Sequence, residues 1–132
     1  MNIFKGNIEA VNVNGELSII TIRVNSINFT AIVIDTPVTA PYLKQGNPIK
    51  VIFKETEVII GIGSVEGISL RNKLFGKVLS IESDNLLSKL IIQTEIGEIT
   101  SIITSNSVKR LKIEIGTEVC AMVKTNELLL SV

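Results

Sequence analysis

The chain contains no histidine and no tryptophan, one cysteine, three prolines and only 4% aromatic residues. Without histidine there is no imidazole for acid–base chemistry, no Ser-His-Asp triad, and no supply of the commonest metal ligand. A single cysteine excludes an intrachain disulfide and any multi-cysteine zinc site. Scarce aromatics leave no stacking platform for single-stranded nucleic acid. Charge of either sign is not in excess: 13 basic and 13 acidic residues give a formal net charge of zero. No broad basic face is therefore available to neutralise phosphates. No run of about 20 apolar residues occurs, so no membrane span is expected. Met1-Asn2-Ile3-Phe4 does not read as the start of a signal peptide. Together with the lone cysteine, this points to a reducing cytoplasm. These absences weigh against an enzyme without identifying a function.

What is present is apolar material and a repeat. The 132 residues are 45% hydrophobic, enough for one ordinary domain or two very small ones. Sliding the sequence on itself gives one productive offset, 70, with no gap. Gly6 falls on Gly76, Gly46 on Gly116, Lys54 on Lys124 and Glu57 on Glu127. Ser18, Ile22, Thr30 and Ile32 fall on Ser88, Ile92, Thr100 and Ile102. The Gly and Lys matches do not follow from shared hydrophobicity. The expected division is residues 1–62 as a first barrel, 63–73 as a linker with a polar lead-in, and 74–132 as a second barrel.

Within each unit the pattern is β, in short runs rich in Ile, Val and Thr. Asn14-Gly15 and Ile96-Gly97 read as hairpin signals. Each unit departs from the β pattern once, after its third run. Thr104–Leu111 offers Ser and Asn caps with one apolar stripe, and Pro37–Leu43 offers a loop and a helix start. The predicted fold is all-β: two tandem five-stranded OB-like barrels, each with a short helix after the third strand. A barrel of this size buries little surface alone. The halves are expected to pack on each other or on another chain, and a homo-oligomer (dimer or trimer) is expected. Cys120 alternates with apolar neighbours and reads as a buried structural thiol.

Ser69-Leu70-Arg71-Asn72-Lys73-Leu74-Phe75-Gly76-Lys77-Val78 resembles the Ser-Ala-Arg-Asn-x-Leu-x-Gly-x-Val stretch of the molbindin, or Mop, family. Thr100-Ser101-Ile102-Ile103-Thr104-x-x-Ser107-Val108 and Val123-Lys124-Thr125-x-x-Leu128 resemble two later stretches of that pattern. The resemblance covers the second unit fully and the first more loosely, as in di-Mop proteins. It implies binding and storage of molybdate or tungstate at subunit interfaces, with the metal held as an intact oxyanion and no cofactor. A ligand-sensing module regulating a molybdate transporter or a transcription regulator is the alternative the family also offers. An OB-type nucleic-acid binder is a third reading, against which the neutral charge weighs. No residue signature for a pterin is visible.

The chemistry agrees with the resemblance. A tetrahedral dianion needs hydrogen-bond donors and positive charge, without carboxylates against it. Arg71 offers a fork of N–H donors and Lys124 a compact charge. Ser69 and Thr125 offer hydroxyls, and the backbone near Leu70 and Thr125 can complete a cup. The expected site is Ser69, Leu70, Arg71, Asn72, Lys124 and Thr125. Shifting by 70 puts Met1 at the Arg71 position and Glu55 at the Thr125 position. A weaker second site, Lys54 with Thr56, is therefore expected in the first unit.

Overall fold

A computed structural model describes residues 1–132. Ten strands form: β1 (Asn2–Asn14), β2 (Leu17–Val24), β3 (Ile27–Val33), β4 (Pro48–Phe53), β5 (Ile59–Gly61), β6 (Asn72–Ser83), β7 (Leu87–Thr94), β8 (Gly97–Thr104), β9 (Glu118–Val123) and β10 (Leu129–Ser131). One helix, α1 (Ser105–Arg110), and two single-turn 3-10 helices (Glu55–Glu57 and Thr125–Glu127) complete the chain. Alternation drives the strands. In β2, Ser18, Ile20, Ile22 and Val24 face inward, and in β7 Ser88, Leu90, Ile92 and Thr94 do the same.

Two five-stranded curled sheets result, as the sequence predicts. Their composition reveals an exchange. The first sheet has the order β10-β4-β1-β2-β3 and the second β5-β9-β6-β7-β8. Leu129 and Leu130 on β10 pair with Ile52 and Val51 on β4, while Ile59 and Ile60 on β5 pair with Met122 and Ala121 on β9. Each half of the sequence thus lends its last strand to the other half's sheet. The core follows the same logic: one apolar cluster runs from Ile8, Phe29 and Phe53 in the first half to Leu74, Ile99 and Val123 in the second.

The offset of 70 is visible in the backbone. Both long first strands carry an irregularity at the same place, between Ile8 and Ala10 and between Val78 and Ser80. Bulges of this kind bend a strand so that it can serve two neighbours. Gly6 and Gly76 sit just before these bends. A Cβ at either would collide with the carbonyl oxygen of Arg23 or of Gln93. The halves differ in filling: Phe4, Phe29 and Phe53 form a ring cluster with centroids 6.0–6.4 Å apart. Leu74, Ile99 and Val123 occupy the equivalent positions in the second half.

Three local expectations need correction. Only the second half has a helix after its third strand. Its N-cap Thr104 accepts from Ser107 N at 3.1 Å. In the first half residues 36–46 form turns. Pro41 lacks the N–H that a helix begun at Pro37 would need, and it disfavours helical backbone at Ala40. The first hairpin turns at Gly15-Glu16, with Asn14 still paired to Leu17. Gly15 takes the positive φ of 64°, which suits the first central position of a two-residue turn. The β7–β8 turn falls on Glu95-Ile96, with Gly97 already paired to Thr94.

Strand β9 is buried on both sides. Val119, Ala121 and Val123 belong to the core, whereas Cys120 and Met122 lie under the segment that follows β5. That segment is fixed by Lys73 Nζ, which donates to Val65 O at 2.6 Å. Cys120 is buried, and burial pushes its thiol upward from its ordinary pKa, as fits a structural thiol.

Two outcomes are expected from this architecture. After a protease site placed at Ser64–Gly67 is cut, the fragments should co-elute on size exclusion without denaturant and part only on unfolding. Separation under native conditions would contradict the strand exchange. Gly76→Ala should cost about 1–3 kcal/mol in urea unfolding through overpacking against the β7 backbone.

Candidate functional site

The sheet register fixes the end of the second sheet from which the residues expected from sequence emerge. Asn72 on β6 is the Cα partner of Val123 on β9. Arg71 directly precedes Asn72 and Lys124 directly follows Val123, so both leave the sheet at the end where β6 and β9 stop pairing. Leu70 and Thr125 are the next residues outward along the chain, Thr125 already inside the second 3-10 helix. Lys124 caps the second 3-10 helix in extended backbone (φ −68°, ψ 145°), which turns the chain away immediately after β9. Ser69, Arg71 and Lys124 are exposed, while Leu70 and Thr125 are half-buried. No intramolecular hydrogen bond or ion pair engages the side chains of Ser69, Arg71, Lys124 or Thr125. The result is a rim of unspent donors at one end of the second sheet. Glu127 is the nearest acid in sequence, at the far end of the same 3-10 turn.

Asn72 stands apart from this group. It is only 2% exposed, and its amide is fully committed. Nδ2 donates to Thr30 O at 2.9 Å and to Val123 O at 3.0 Å, and Oδ1 accepts from Thr30 N at 2.7 Å. Thr30 lies on β3 of the other sheet, so the amide joins the two halves. The first half mirrors this. Asn2 Nδ2 donates to Thr100 O at 2.9 Å and Asn2 Oδ1 accepts from Thr100 N at 2.8 Å. In the sequence Thr30 and Thr100 stand out as repeat matches, and Thr100 as part of a family-like stretch, but neither shows this contact. An internal repeat reveals equivalence, and these contacts cross between the equivalents.

The weaker site has different surroundings. Met1 and Lys54 adjoin the end pair Asn2 and Phe53 of β1 and β4. The Met1 amino group bonds Glu55, and this bond is the first cause holding that carboxyl below its usual range. Glu55 thus puts an ionised acid where the second half has Thr125. Thr56 opens instead onto a cleft of about 400 Å3 that it shares with Thr104, Ser107 and Arg110 of the second half. This grouping was invisible in sequence, because it depends on the first 3-10 helix lying beside β8. Lys54 and Thr56 are exposed.

Two tandem curled five-stranded sheets that exchange their last strands place the chain in the class of small tandem β-barrel domains. Comparison with known proteins narrows this. The TOBE domain family matches residues 68–130. Molybdenum-pterin-binding protein 3 of Clostridium pasteurianum is 31% identical over 64 residues, which is 48% of this chain and 94% of that protein. Molybdenum-pterin-binding protein 2 of the same organism is 34% identical over the same shares. The cytoplasmic molybdate-binding protein ModG, crystallised with molybdate bound, superposes with a TM-score of 0.91 and 25% identity, covering 99% of this chain and 95% of that one. The chain belongs to the molbindin family of TOBE-domain proteins, in its two-domain form.

Proposed function

We propose that this chain binds molybdate or tungstate as an intact oxyanion and serves in its storage or homeostasis in the cytoplasm, without catalysis. The observation that supports the reading is the pairing of Asn72 with Val123, whose chain neighbours Arg71 and Lys124 are both exposed and not ion-paired. A dianion placed there would accept hydrogen bonds from the Arg71 fork, the Lys124 ammonium and the hydroxyls of Ser69 and Thr125. Backbone N–H groups near Leu70 and Thr125 would close the cup. Each charge-assisted bond is worth about 1.5–3 kcal/mol. Four or five of them, less the cost of ordering, reach the order of −8 kcal/mol, a micromolar dissociation constant. The family relationship supports the same ligand, since its curated and crystallised relatives are named for molybdenum or molybdate.

The site as it stands on one chain is open to solvent, and a second copy would close it. Ile3, Ile52 and Leu129 form a continuous apolar row across β1, β4 and β10. Ile3 and Leu129 are 55% and 51% exposed. Such an exposed apolar row favours a homo-oligomer, dimer or trimer, in which ligand binding and assembly would reinforce each other. The Lys54 and Thr56 region would bind the anion less strongly, because Glu55 opposes it.

Calorimetry with molybdate, tungstate and sulfate tests this reading. Wild type should bind the first two. Arg71→Ala should bind them about 10–100-fold more weakly, the equivalent of one lost charge-assisted contact. Unchanged heats in Arg71→Ala would reject the site.

A further inference from the structure

We infer that Asn72 is a positioning residue of the oxyanion site and not one of its ligand donors. The inference rests on the site proposed above and assigns one of its residues a different task. A ligand donor must have a free N–H, and the Asn72 amide has none: both of its N–H groups and its oxygen are engaged in a buried setting. Its three partners define what it does. Asn72 itself directly follows Arg71 in the chain, and Val123, whose carbonyl it binds, directly precedes Lys124. The amide therefore pins the two backbones that deliver the guanidinium and the ammonium. Through Thr30 it anchors both to β3 of the other sheet.

The pseudo-equivalent residue supplies the contrast. Asn2 makes the two bonds to Thr100 across the halves but none to Phe53 O, the counterpart of Val123 O. The third bond exists only in the half that carries the Arg–Lys pair. The cross-half bonds thus belong to the fold, and the bond to Val123 belongs to the site. Holding charged groups in place before the ligand arrives lowers the ordering cost of binding. Outer residues that orient ligand-binding groups in metal sites are worth about 10–100-fold in affinity, and a loss in that range is expected here.

The test is molybdate calorimetry on the full chain, with urea unfolding in parallel, for Asn72→Ala, Asn2→Ala, Arg71→Ala and the double variant Arg71→Ala/Asn72→Ala. Both asparagine variants should lose stability. Only Asn72→Ala should lose affinity, by about 10–100-fold, and the double variant should lose less than the sum of the two single losses, because Asn72 acts partly through Arg71. If Asn72→Ala fails to fold, Asn72→Ser, whose hydroxyl can keep one of the bonds, should give an intermediate affinity. Wild-type affinity in the Asn72 variants would overturn the proposal. So would equal affinity losses at Asn72 and Asn2, or a loss that adds in full to that of Arg71→Ala. Absence of molybdate binding by wild type would instead remove the site itself, and this role with it.

Discussion

The structure turns on an exchange made twice. Each half gives its last strand to the other half's sheet and fixes the crossing with a buried asparagine on a threonine backbone. A primary amide taken out of water must recover its hydrogen bonds, or the unfilled group costs roughly 1–3 kcal/mol. Asn2 and Asn72 recover theirs only when β1 and β6 lie against the opposite halves. Burial of two amides therefore specifies the mutual arrangement of the sheets, beyond what a shared apolar core alone would specify. The core needs only volume and hydrophobicity, as the replacement of a phenylalanine cluster by Leu74, Ile99 and Val123 illustrates.

Function is laid unequally on this symmetric frame. Positions 71 and 124 adjoin the end pair of β6 and β9, and positions 1 and 54 adjoin that of β1 and β4. At the first of these ends neither cation is ion-paired. The other is occupied by Glu55, which is bonded to the Met1 amino group. A repeat of this kind conserves the geometry that holds a site while releasing one copy from the chemistry. The two asparagines record the same divergence, since only Asn72 reaches the carbonyl before the lysine.

Much of this was legible in the residues. The ungapped offset, with Gly6 on Gly76 and Lys54 on Lys124, established two equivalent β units, because those glycines occupy backbone collisions that no other residue escapes. The Arg71, Lys124 and Ser69 grouping was readable as chemistry and as family resemblance. What stayed hidden was non-local. Nothing in the run Val58–Ile62 says which sheet its strand joins, since a short apolar strand fits either edge. The commitment of Asn72 to Thr30 is likewise a contact between strands far apart in sequence, so a residue that reads as one more polar donor proves to be spent on the scaffold. The missing first helix was a nearer miss: Pro37 and Pro41 were both visible, and the second outweighs the first.

The most direct measurement of the central claim is the anomalous scattering of molybdenum in crystals of the protein grown with molybdate. The account predicts a peak within hydrogen-bonding reach of the Arg71 guanidinium, with a Lys124 ammonium from the same or a neighbouring copy beside it. A peak remote from both residues would contradict it.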